Sequence, residues 1–201
     1  MFGLNGESEE IEVRKVVGML DILQNEKSIP RARTPSTSGA VILRKEEVRK
    51  IVDDTLAKIS KTLLPEKAKL RFRRASSLED VDNMMKQIRD LAEFERALEC
   101  VRTTKEELVM DGGIGNENEP KYYCVLIEGE GEGEGEGEGE GEGGTYSTVG
   151  FAFFFFNYCT WEGRVLYLED LHINESFRKR GGGKALMKAL AMVAKKTGCK
   201  R

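Results

Sequence analysis

The stretch EDLHINESFRKRGGGK, from Glu169 to Lys184, decides the reading of this 201-residue chain. It closes the β-branched and aromatic run VLYLEDLHI, Val165 to Ile173, which predicts a strand. A short polar turn follows. Arg178, Lys179, Arg180, Gly181, Gly182 and Gly183 then deliver the chain into a helix whose apolar face includes Leu186, Met187, Leu190, Val193 and Ala194. Glycines let backbone N–H groups converge, the helix N-terminus favours an anion, and basic side chains add charge, so the place suits phosphate. From Leu171 to Arg201 there are nine Lys or Arg and one acid, Glu175. A diphosphate fits so local a field, whereas a nucleic-acid partner would call for a wider one. The loop has neither the GxxxxGK[ST] spacing of a triphosphate loop nor the GxGxxG order of a dinucleotide site. What it has is Arg178-x-x-Gly181-x-Gly183, followed by Lys184.

Upstream, STVGFAFFFFNY (Ser147 to Tyr158) is too uniformly apolar for a strand with one wet face, which places it centrally in its sheet. TWEGR turns it into the next strand, and this hairpin is expected to carry much of the core. YYCVLIE (Tyr122 to Glu128) and LRFRRAS (Leu70 to Ser76) read as two further strands. Between them, Ser76 with Glu79 and Thr103 with Glu106 have capping-box spacing. They predict one helix with the stripe Val81, Met84, Met85, Ile88, Leu91 and Ala92, and a shorter one through Val109. The order strand, helix, helix, three strands, helix is an α/β arrangement with an antiparallel meander in its middle. It assigns residues 68–201 to a domain and 1–67 to an N-terminal extension. The extension holds the linker-like run Ser28 to Gly39 and an amphipathic helix from Lys45, with Val48, Ile51, Val52, Ile59 and Leu63, ended by Pro65. Three fates stand open for that helix: docking on the domain, pairing with a copy of itself, or partial order.

The formal charge of −3 comes from 35 acids and 32 bases. Eight of the acids belong to the Glu-Gly repeat of Glu128 to Gly144, without which 27 acids face 32 bases and the net is +5. The acidity therefore describes a repeat and not the domain. Alternating glycines and like charges predict a disordered insertion over 128–144. It is read either as slippage of a coding repeat or as a lure for cationic partners. No run approaches the roughly 20 apolar residues of a membrane span. The opening MFGLNGESEE carries acids where a targeting peptide would be basic, so a cytoplasmic protein without a membrane partner is expected. Cys100, Cys124, Cys159 and Cys199 are scattered and His172 is the single histidine, which argues against a metal site or a His-based triad.

Arg178, Gly181 and Gly183 resemble the pyrophosphate loop, Gln/Arg-x-x-Gly-x-Gly/Ala, of the GNAT superfamily of acetyl-CoA-dependent N-acetyltransferases. GFAFFFF, Trp161-x-Gly163, Leu166 to Asp170, FRRAS and the run Leu91 to Glu95 are similar to its diamine branch, the spermidine/spermine and thialysine acetyltransferases. The likeness covers roughly Lys69 to Arg201. It implies the GNAT (acyl-CoA N-acyltransferase) fold, a mixed central sheet flanked by helices. It also implies transfer of acetyl from acetyl-CoA, as co-substrate and without a metal, to the primary amine of a polyamine or small diamine, and it suggests a homodimer. The backbone of Leu171, His172 and Ile173 would pair with the pantetheine arm, and Arg178, Lys179, Arg180, Gly181, Gly182, Gly183 and Lys184 would hold the pyrophosphate. Glu169 would attract the amine and help remove its proton, since an ammonium cannot attack a thioester. An N–H near Leu171 would stabilise the oxyanion. Phe94, Glu95 and Trp161 would contact the amine, Phe94 standing where the branch usually has Tyr. Period-two alternation puts Tyr167, Glu169 and Leu171 on one face of the strand and Leu168 and Asp170 on the other. The resemblance further implies a strand, a helix and closing strands beyond Arg201, so the fold is expected to be incomplete at the C-terminus. Two other readings remain: a catalytically silent CoA-binding or interaction protein, and an acetyltransferase of protein amines recruited by the acidic repeat.

Overall fold

The computed structural model describes residues 43–131 and 146–201. The Ser28 to Gly39 linker and most of the repeat lie outside the described residues. Helix α1, Lys45–Thr62, buries Val48, Val52, Leu56 and Ile59, the three- and four-residue spacing that makes one apolar stripe. The stripe packs on strand β1, Leu70–Arg74, in one core with Phe72. Ser60 Oγ accepts from the Phe72 backbone at 3.0 Å, and Arg74 grips Asp53 at 2.9 and 3.0 Å. The boundary expected at residue 67 is therefore corrected. From Lys45 onward the extension is part of the domain, because its stripe has no other apolar partner as large as the sheet.

Helix α2, Leu78–Phe94, and helix α3, Lys105–Gly112, start one residue later than expected. Their capping boxes are Ser77 with Asp80 and Thr104 with Glu107. Doubled Ser and Thr offer two registers at the same spacing, and the later one lets Asp80 also accept from Ser76 N–H at 2.8 Å.

Strands β2, Tyr123–Glu130, β3, Tyr146–Cys159, and β4, Gly163–Ile173, complete an antiparallel sheet of order β1-β2-β3-β4. Alternation along β2 and β3 explains their unbroken apolar runs, since both faces are covered. Tyr123, Val125, Ile127, Ala152 and Phe154 point to α1 and to the last helix, α4, Gly182–Lys196. Cys124, Leu126, Phe151, Phe153 and Phe155 point to α2 and α3. Pairing rising numbers with rising numbers, Lys200 N–H bonds Arg164 O and Leu166 N–H bonds Arg201 O, at 2.8 and 2.9 Å. The parallel component of a mixed sheet is thus confined, among the described residues, to these two tail residues beside β4.

The repeat begins inside the sheet, not in a loop. Glu128, Gly129 and Glu130 are strand residues, and Glu128 is buried between Arg71 Nε at 2.5 Å and Arg73 Nε at 2.6 Å. Two arginines on β1 fix its charge where water is excluded, which overrides the flexibility expected of Glu-Gly pairs. Residues 132–145 lie outside the described residues.

Candidate donor and acceptor site

β4 changes character at Glu169. Phe153 pairs with Asp170 and Phe154 with Leu168, leaving Glu169 as the extra residue of a β-bulge. The bulge overturns the expected strict alternation. Before it, Tyr167 lies beside Phe155 on the α2 side, with ring centroids 5.1 Å apart. After it, Asp170 and His172 take that side by their pairing with Phe153 and Phe151, while Leu168 and Leu171 both pack on the α1 and α4 core. Leu171 therefore does not share a face with Tyr167. Glu169 is exposed, as a residue that attracts a soluble cation must be.

The backbone alternates too. Leu166 N–H bonds the tail outside β4, and Asn174 N–H bonds Val149 O on the β3 side. Carried through the bulge, this places His172 among the residues bonded to β3 and turns the N–H and C=O groups of Leu171 and Ile173 to the open edge. Of the three backbone positions expected to meet a pantetheine arm, two face outward. The third is committed to Phe151.

Beyond the edge, the glycine loop leads into α4. Gly181 has φ +89° and no side chain caps the helix, so the first-turn N–H groups of Gly182, Gly183 and Lys184 lack side-chain acceptors. Gly181 serves where a left-handed residue is required; Lys179, also left-handed at φ 63°, adopts that geometry against its Cβ. Gly182 is buried, and a Cβ there would stand 3.0 Å from Leu70 Cδ1, which is how the helix end comes so close to the sheet. Arg178 is exposed, donates from Nε to Ile173 O at 2.8 Å and lies 5.1 Å over the Phe94 ring. Arg180 donates to Ser176 O at 3.0 Å and stacks on Phe177 at 4.5 Å. Lys179 and Lys184 are exposed.

Phe94, on the last turn of α2, is thus brought to the loop, 65% exposed, with exposed Glu95 capping the helix behind it. Trp161 is not brought there. It is 95% exposed in the β3–β4 turn, and about 20 Å of strand, Gly163 to Glu169 at roughly 3.3 Å per residue, separates that turn from Glu169. A cavity of about 660 Å³ lies elsewhere, against α1 and the loop after α3, and shares no residue with the glycine loop. Its lining of Glu46, Arg49, Asp53 and Arg74 is largely spent on internal ion pairs.

Sequence reasoning missed Gln87. It is fully buried, and its amide oxygen stands 3.3 Å from His172 Nδ1. Its signal was a polar residue three positions after Met84 and four before Leu91, inside the apolar stripe. Burial, then Arg178, push the His172 pKa down, while Asp90 pulls it up. Among the described residues no group of His, Cys, Asp and Glu is arranged to hold a metal ion, and no helix is long and apolar enough to cross a membrane.

An uncapped helix N-terminus and an open strand edge suit an anionic, strand-like ligand, and the exposed carboxylate at the bulge suits a cationic one. The chain belongs to the GNAT acetyltransferase family, whose model matches residues 85–201. It is similar to the thialysine N-epsilon-acetyltransferase of Bos taurus, 34% identical over 120 residues, which are 60% of this chain and 65% of that protein. The Mus musculus protein of that name is 34% identical over 132 residues, 66% of this chain and 71% of the other. Spermidine/spermine N(1)-acetyltransferase-like protein 1 of Homo sapiens is 31% identical over 120 residues, 60% of this chain and 16% of that protein. The chain thus spans about two thirds, 65%, of the length of the bovine relative.

Proposed function

We propose that the protein is an amine N-acetyltransferase that uses acetyl-CoA and acts on the primary amine of a polyamine or small diamine. The observation that carries this reading is the joining of uncapped α4, the outward edge of Leu171 and Ile173, and Glu169 at the bulge. The residues fit the donor: orphan N–H groups and Arg178 and Lys179 suit a diphosphate, and an open strand edge suits an amide-bearing arm.

Acetyl-CoA supplies a thioester carbonyl when bound. Glu169, exposed beside that edge, attracts the ammonium group and takes its proton, directly or through water, so that a neutral amine can attack. The new C–N bond forms as the C–S bond breaks, and the sulfur leaves with the electron pair and is protonated. Outward N–H groups of Leu171 and Ile173 are the nearest backbone donors for the oxyanion. Phe94, which lies under Arg178, and the adjoining Glu95 would approach the acceptor from the donor loop.

Acetyl transfer to spermidine, putrescine and thialysine tests the reading. Turnover on at least one free amine is expected, with Glu169→Gln lowering kcat by about a hundredfold, the lower range for general-base loss. An undiminished variant would sink the Glu169 role. CoA binding by calorimetry without turnover on any amine would favour a silent CoA-binding protein.

A further inference from the structure

The apolar contact of α2 with the sheet joins Met84, Ile88 and Leu91 to Phe151 and Phe153 of β3, yet beside it lie one buried imidazole, on β4, and one buried amide. His172 is 7% exposed and Gln87 is fully enclosed. Gln87 Oε1 can only accept, so the ring donates from Nδ1. The amide's other end reaches Asp90 at 3.5 Å. A polar chain therefore runs from the surface of α2 to the middle of a strand whose neighbouring residues, Leu171 and Ile173, present their backbone groups to the open edge.

Gly150 makes this strand segment tight from the other side, because a Cβ there would stand 2.4 Å from His172 O. The backbone at 172 is thus fixed from three directions: by Phe151 across the ladder, by Gly150 beneath its carbonyl and by Gln87 through the ring. Through Gln87 the ring ties this segment of β4 to α2 and limits its movement relative to the helix.

We propose that the His172 side chain, clamped by Gln87, is a positioning residue for the acetyl donor: it sets the direction in which Leu171 offers its N–H and C=O and Ile173 its N–H, the Ile173 C=O being held by Arg178. This rests on the transferase reading and adds to it a role for the ring, where the resemblance assigned only the backbone. Three charged groups face or flank the imidazole: Asp90 from α2, Arg178 from the glycine loop and Asp170 two residues away on the same side of β4. Burial and Arg178 favour the neutral ring, and charging it works against the clamp. Donor binding therefore weakens as pH falls below 6.5, the ordinary value for the ring.

Steady-state kinetics of the whole chain, with acetyl-CoA and the best amine varied in turn, test the proposal. His172→Phe fills the slot without the hydrogen bond, and is expected to raise the acetyl-CoA KM about tenfold, a modest part of what misplacement costs. The amine KM should keep its wild-type value, while kcat falls with the displaced Leu171 and Ile173 N–H groups. Gln87→Glu puts a carboxylate against the ring, stabilises its charged form in the slot and should suppress the low-pH rise in acetyl-CoA KM. It retains the ring, so it reads the same step even if His172→Phe does not fold. An acetyl-CoA KM unchanged from wild type in both variants between about pH 5 and 8 overturns the proposal. So does a parallel rise in donor and amine KM, which marks a ring that merely supports the fold. A wild-type chain that binds no CoA overturns the transferase reading itself, and the proposal with it.

Discussion

The two faces of the sheet are built differently. Toward α1 and α4 lies an interior of Val52, Leu56, Phe154, Leu186 and Val193 with no buried charged side chain among the described residues. Toward α2 and α3 the interior is also apolar, but buried polar groups run through and beside it: Asp80 and Glu128 joined by Arg73, and His172 joined to Gln87. One face holds the sheet together by area. The other fixes where particular atoms stand, and the clamp of His172 depends on it.

Truncating the apolar face should show the largest effect. Phe154→Ala removes a fully buried ring and is expected to cost about 3 to 5 kcal/mol, read as a lower denaturant midpoint, with little change in pH dependence. Acid should select the other face. Burial opposes charge on Asp80, but hydrogen bonds from Arg73 and from the Ser76 and Ser77 N–H groups prevail and hold its pKa at about 2. Because this folded value lies below 3.8, the stabilisation is complete above 3.8 and is lost as pH falls toward 2. Unfolding titrations should show about 2 kcal/mol disappearing over that window, and Asp80→Asn should flatten the curve. Arg178→Ala removes the loop's cation together with its contacts to Ile173 O and the Phe94 ring, and should raise the acetyl-CoA dissociation constant about tenfold by calorimetry, the low end for a charge-assisted contact. Trp161→Ala sharpens the comparison by doing almost nothing. Lying on neither face, it should change stability by less than about 0.5 kcal/mol and leave both KM values alone.

Much of this was legible beforehand because it was local. Strand and helix order from Leu70 onward, the centrality of β3 and the phosphate character of Arg178 to Lys184 each follow from a short window of residues. What escaped was set by contacts across the sequence. The stripe of α1 reads the same whether it meets the sheet or another helix, so its place in the core depended on Phe72 and on Leu186, far along the chain. Strict alternation fails at Glu169 because a bulge is decided by the partner strand, and β3 offers no mark of it. Doubled Ser and Thr hid the register of two caps. Gln87 looked like an interruption until His172 stood opposite. Trp161 belonged to the run that carried the resemblance, yet the length of the hairpin separates it from the site.

Glu128 gives the repeat an unusual tolerance to mutation. Gain or loss of whole Glu-Gly pairs, the natural error in copying such a tract, always leaves the strand reading Ile-Glu-Gly-Glu. The glutamate gripped by Arg71 and Arg73 and the glycine beneath the Phe177 ring are then restored by whichever pair moves into place. Length can drift between related genes while the anchor stays constant; only a shift of reading frame or a substitution within the first pair would break it.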